Sequence, residues 1–375
     1  MTKACYVGVA GKARKVKKIY TGVANKARKV KKAYVGVGGK ARPFFSAEQK
    51  LSYYGTVPGL SQARGSIAAT TVGGYGLFGG GDFSGNTSST VDAYNATLAR
   101  STPTALSQAR YSLAATTVGD YGLFGGGAFG YSNETSTSTV DAYSASLVRS
   151  TPTALSQTRS ILAATTVGDH GLFGGGFSYG SGGYSSTVDA YSASLVRSTP
   201  TALSQARSNL AATTVGDHGL FGGGYNSSTF STVDAYSASL VRSTPTPLSQ
   251  ARTGVVATTV GNYGLFGGGS FTSTVDAYSA SLVRSTPTAL SQARNGLEAT
   301  TVGDHGLFGG GNNRGIFSTV DAYSASLVRS TPTPLSQARF GVVATTVGNY
   351  GLFGGGYSSI YPATYASTVD AYTVV

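Results

Sequence analysis

From Leu51 to the C-terminus the apolar residues come in short bursts, with none of the i, i+3, i+4, i+7 spacing that would give a helix an apolar stripe. Thr, Val, Tyr and Phe fill the bursts, and Gly, Pro, Asn or Ser close them, which is the pattern of short β-strands joined by turns. The stretch from Tyr111 reads YSLAATTVGDYGLFGGG, then a variable segment, then STVDAYSASLVRSTPTALSQTR. Four strands are predicted per unit: A in LAATTV, B in YGLFGG, C in STVDAY and D in the LVRSTPTAL region. GLFGGG starts at Gly76, Gly122, Gly171, Gly219, Gly264, Gly306 and Gly351, at intervals of 42 to 49 residues. A glycine run repeated in this way belongs to a repeat architecture before it belongs to a ligand. A phosphate loop would also need Gly-Lys-Ser/Thr or a following helix N-terminus, and no copy has either. The glycines are expected to allow close backbone approach and the bend into the variable segment.

Four strands in a unit of this length, repeated, are the mark of propeller blades. Each unit carries an Arg, a small-residue strand, a hydrophobic strand ending in a Gly doublet and a strand ending in Tyr. Over about residues 51–375 this resembles the kelch repeat. One element departs: kelch blades usually place Trp on strand D, and this chain has no Trp, with Leu147, Leu195 and Leu282 in that region. The A–B–C set occurs seven times, ending at Tyr94, Tyr143, Tyr191, Tyr236, Tyr278, Tyr323 and Tyr372. The Arg before strand A also recurs, as Arg64, Arg110, Arg159, Arg207, Arg252, Arg294 and Arg339. Val375 follows directly on the seventh strand C, whereas LSYYGTVPGLSQAR at 51–64 matches a strand D with its trailing LSQAR. The fold class predicted is all-β: a seven-bladed kelch-like β-propeller whose N-terminal strand closes the last blade and removes the open sheet edge.

Charge divides the chain. Residues 1–50 hold eleven Lys, three Arg and one acid, Glu48, while the rest holds 14 Arg, 14 Asp plus Glu and no Lys. The net charge of +13 therefore belongs to the N-terminal segment, and the body is neutral. Within it, Tyr6, Tyr20 and Tyr34 mark a 14-residue period, and VAGK, VANK and VGGK offer tight-turn residues tolerant of positive φ. This predicts a small basic β-meander over 1–46, followed by the propeller over 47–375. YVGVGGKAR-like arrays resemble those in tail-associated proteins of prophages from Gram-positive bacteria. The basic segment suits phosphate neutralisation on nucleic acid or anionic cell-wall polymer, or docking on an assembly partner through residues 1–45. A single Cys, Cys5, allows no internal disulfide. Neither a signal-peptide h-region nor an apolar run long enough for a membrane span occurs, so a cytoplasmic or phage-particle location is expected.

Copies compared within the chain vary on one face. The A–B connection (VGDYG, VGDHG, VGNYG) and the C–D connection (YSASLV) barely change, while the B–C segments and the residue after each Arg differ in nearly every copy. Loops on a rigid scaffold are the usual place for recognition. The candidate binding residues there are Phe83, Tyr131, Asn133, Glu134, Tyr179, Tyr184, Tyr225, Asn226, Phe271, Asn312, Arg314 and Tyr361. Aromatic area among short polar side chains suits a sugar or a polar protein surface.

Catalytic chemistry finds less support. His170, His218 and His305 occupy one repeat position, filled by Tyr in the other blades, and read as a tolerant strand position rather than metal ligands. The sevenfold Asp of VDAY and the sevenfold Arg read as repeated structural ties. Glu298 alone places a carboxylate where strand A otherwise has Ala or Val, and reads as a solvated position near the channel mouth. No catalytic residue, cofactor or metal is expected. The function expected is non-enzymatic recognition of a glycan or protein surface, in a phage or prophage component. The alternatives are a propeller enzyme acting on glycans, such as a lyase or copper oxidase, and a nucleic-acid-associated protein.

Overall fold

In the computed structural model the described residues are 6–9, 12–15, 19–23, 26–30, 32–37, 40–46, 50–130, 134–180 and 183–375, the first six ranges as backbone only. They form two compact units, Met1–Lys50 with Val375, and Leu51–Val374.

The larger unit consists of seven four-stranded antiparallel sheets. Blade 1 has strands A (Ala68–Val72), B (Tyr75–Gly79), C (Val91–Asn95) and D (Arg100–Ser101). The A strands of blades 2 to 6 are Ala114–Val118, Ala163–Val167, Ala211–Val215, Val256–Val260 and Glu298–Val302. Blade 7 combines Val343–Val347, Tyr350–Gly354 and Val369–Val374 with the N-terminal strand Leu51–Val57, which pairs from Val369↔Val57 to Val374↔Leu51. The chain's first propeller strand thus closes its last blade, as the sequence predicts. Strand D in the other blades is only two residues long and runs into Thr-Pro, which keeps the outer edges short.

The core lies between blades. Alternation along strand B sends Leu toward the next blade and Phe toward the previous one. Ala68, Val72, Leu77, Val91 and Ala93 of blade 1 pack against Leu106, Leu113, Phe124 and Tyr143 of blade 2. The same arrangement closes the ring, where Phe78, Tyr94 and Leu98 meet Val343, Val347, Leu352, Val369 and Ala371 of blade 7. Each buried Phe or Leu contributes about 1.5–3 kcal/mol over its exposed state. Leu147, Leu195 and Leu282, in the region where kelch blades carry Trp, sit in the C–D turn with φ of 61–63° and pack on these interfaces.

The GGG stretch is part of the same joint. A Cβ on Gly79 would lie 2.7 Å from the Phe124 ring of blade 2. Gly80 has φ +72°, and a Cβ there would stand 2.6 Å from the Arg110 carbonyl. The Gly81 N–H donates to that carbonyl at 2.9 Å, and at closure Gly356 donates to Arg64 at 3.0 Å.

The A strands line the central channel, where the ATTV motif builds a closed hydrogen-bond ring. The second Thr of each blade donates to the backbone oxygen of the second Thr in the preceding blade, ending with Thr71 to Thr346 at 2.8 Å. Its single proton being spent, its hydroxyl accepts from the first Thr of the preceding blade, at 2.8 to 3.2 Å around all seven joints.

In the smaller unit the strands pair as three hairpins: Tyr6–Val9 with Lys12–Lys15, Ile19–Val23 with Lys26–Val30, and Lys32–Val37 with Lys40–Ser46. Among the described residues each hairpin is a two-stranded sheet of its own. The tight-turn residues predicted at 10–11, 24–25 and 38–39 lie outside the described residues.

Candidate recognition face

The two variable sets of positions are partners. The residue after each Arg bridges to the first residue beyond GGG in the same blade: Gly65 to Asp82, Tyr111 to Ala128, Ser160 to Phe177, Ser208 to Tyr225, Asn295 to Asn312 and Phe340 to Tyr357. In blade 5 the Ser270 N–H donates to the Thr253 carbonyl instead. Most B–C segments continue as short hairpins, such as Phe177–Ser178 with Gly183–Tyr184 and Tyr225–Asn226 with Ser228–Thr229. The two sets of variable positions therefore lie side by side in each blade, all on one face.

Beneath each hairpin lies a buried ion network. Arg64, fully buried, donates to Asp92 of strand C at 2.8 Å, and Arg100 of strand D donates to the other oxygen at 3.0 Å. The Ser61 N–H adds a third donor at 3.0 Å. The same two-arginine grip holds Asp141, Asp189, Asp234, Asp276 and Asp321. Burial pulls each inner guanidinium below its ordinary pKa, and its Asp partly offsets that. In blade 7 strand D comes from the N-terminus, and the Tyr53 hydroxyl donates to Asp370 at 2.7 Å where the outer Arg would be. Burial and this carboxylate push the Tyr53 phenol up to about 12. The inner Arg was legible as a repeated tie. The outer Arg, in the repeated LVRS or LARS, was not singled out, although its eight-residue spacing from Asp was available. Among the 14 propeller arginines only Arg314 stands outside these networks.

Two acids of the variable segments act as clamps between blades. Asp82, buried in blade 1, accepts from Tyr357 at 2.8 Å and Tyr365 at 3.0 Å, both of blade 7. Glu134 of blade 2 accepts from Tyr111, and Tyr179 of blade 3 also bonds to it. Burial, followed by Glu134, raises both phenols.

The candidate residues separate by environment. Tyr179, Tyr184 and Tyr225 come together with Phe177 in an aromatic row across blades 3 and 4, with centroids 5.1 Å (Phe177–Tyr179), 5.1 Å (Phe177–Tyr184) and 6.0 Å (Tyr184–Tyr225) apart. Glu134 is held by its two tyrosines. Asn226 donates to the Ala206 carbonyl at 3.0 Å, and Asn312 is held by bridges to Asn295 and Ile316. Phe83 is half-buried in the blade 1 hairpin. Phe271, exposed Arg314 and Tyr361 stand on separate blades, with Phe271 52% and Tyr361 92% exposed. Tyr131 and Asn133 lie outside the described residues.

Glu298 is not a solvated position. It is half-buried at the start of strand A, its Oε1 accepts from the Ala299 N–H at 2.9 Å, and burial pushes its carboxyl from 4.5 up to about 7. The apolar sites that Ala and Val fill in the other blades impose this environment. His170, His218 and His305 each begin strand B and are half-buried. Among the described residues no three His, Cys, Asp or Glu side chains gather as a metal site would require.

The arrangement defines a seven-bladed β-propeller with one variable face. The chain is similar to the solved structure of YjhT, also a β-propeller, at 10% sequence identity over 85% of this chain and 99% of that one, with a TM-score of 0.57. At that identity the likeness shows the fold alone. No protein-family model matches the sequence. A comparison with curated proteins finds no similar sequence.

Proposed function

We propose that the chain is a non-enzymatic recognition protein of a divergent kelch-like group, whose variable propeller face binds a glycan or protein surface. The observation that supports this is the confinement of variation: the rings, the ion networks and the blade joints are built from repeated residues, while the paired variable positions share one face. Exposed aromatic residues there, Tyr225, Phe271 and Tyr361, supply contact area at little entropic cost. The basic N-terminal segment, with fourteen cationic residues against one acid in residues 1–50, favours a second contact with an anionic polymer or a larger assembly, of the phage-tail kind whose arrays it resembles.

A cell-surface and glycan binding screen on the full chain tests this reading. Combining Tyr225→Ala, Phe271→Ala and Tyr361→Ala should abolish retention on the bound surface without lowering the unfolding temperature. Undiminished retention would refute the assignment to this face.

A further inference from the structure

Blade 3 departs from its neighbours at one position beneath its hairpin. The residue before the buried Arg is Ala63, Ala109, Ala206, Ala251, Ala293 and Ala338 in six blades and Thr158 in blade 3. In blades 4 and 6 the second residue beyond GGG, counted from the bridge, is Asn226 or Asn313, and its amide donates to the Ala206 or Ala293 carbonyl at 3.0 and 3.2 Å. That bond seals the hairpin onto the connection below it. The corresponding residue of blade 3 is Ser178, which meets the Thr158 hydroxyl at 3.1 Å. Beside this contact lies a cleft of about 380 Å³, lined by Gln157, Thr158, Ser178, Gly183, Tyr184 and Ser185.

The lining decides the ligand class. It offers hydroxyls and one amide and contains no charged side chain. Gln157 uses its oxygen to accept from Ser185 at 3.0 Å and Thr187 at 3.1 Å, which directs its amide nitrogen to act as donor. A cleft of this size, with several convergent neutral donors and acceptors, suits a polyol and repays neither an anion nor a cation for its lost hydration. Gly183 opens it: a Cβ there would meet nothing within 4 Å, and its φ is not in the left-handed region.

We propose that this cleft is a subsite for one residue of a neutral saccharide. The proposal rests on the glycan form of the recognition reading above. The test is isothermal titration of the full chain with neutral hexaoses of glucose, mannose and N-acetylglucosamine. At least one should bind. Gly183→Leu, which fills the cleft from an unstrained position, should weaken that binding by at least about tenfold, and Gln157→Ala should weaken it too. Gly315→Leu in blade 6, where a Cβ also meets open space, should leave it unchanged. Thermal unfolding of each variant confirms that the fold is kept. Undiminished binding by Gly183→Leu would overturn the subsite and leave the recognition face standing. Binding of none of the three hexaoses by the unaltered chain would overturn the neutral-saccharide assignment, while binding to a protein surface would remain open to the separate screen.

Discussion

At the scale of single residues, the propeller concentrates its charges where they are most costly. Each inner Arg is fully buried against an Asp, and such a pair holds only because further donors satisfy the carboxylate. Replacing Arg207 with Met should cost about 3 kcal/mol, because Asp234 keeps Arg242 and Ser204 but loses its buried partner. Arg242→Ala, whose side chain is 26% exposed, should cost about 1 kcal/mol. Denaturant midpoints of the two variants, compared with the unaltered chain, check the order. Glu298 gives a pH signature. Its folded pKa is raised, so the folded state holds a proton that the unfolded state has released between pH 4.5 and about 7. Stability should therefore fall as pH rises through that window, and Glu298→Gln should remove the fall. Equal pH profiles for the two proteins would show that the carboxyl is not enclosed. The sequence marked Glu298 as singular but not as buried, because burial at the channel mouth depends on two neighbouring strands that are distant in the chain.

At the scale of elements, strand types and blade count were legible because seven copies averaged out local ambiguity. The closing strand was legible for the same reason, as a fragment missing from one end and present at the other. The hairpins of the B–C segments were not, because each has its own sequence and no copy confirms another. Their pairing with the residue after Arg required the fold to bring two separated variable positions side by side. The closing strand also bears weight. Deleting residues 1–57 exposes the edge of Val369–Val374 and removes Tyr53 from Asp370, whereas deleting residues 1–46 does neither. The first deletion should lower the unfolding temperature sharply and produce aggregates on size-exclusion chromatography. The second should leave the propeller's transition near its original temperature.

For the whole molecule, charge and shape are assigned to different parts of the chain. The propeller is neutral, and its face varies. The basic hairpins carry the entire net charge of +13. Removing residues 1–46 should abolish binding to a polyanion such as heparin or DNA, and in the full chain that binding should weaken steeply with added salt. Salt-independent retention by the full chain would exclude an electrostatic role for the hairpins.

The seven joints between blades bear on how such a face could change. Each joint is made by the same Phe against the same Gly, the same pair of threonines and the same backbone bond to an Arg carbonyl. Blades so joined are interchangeable parts: the hairpin of one can be replaced by that of another with no joint residue altered. The frame stays constant while the display is recomposed. The freedom ends where Asp82 is tied to Tyr357 and Tyr365, Glu134 to Tyr111 and Tyr179, and Tyr184 packs edge-on against Tyr225. There two neighbouring hairpins must be exchanged as a set.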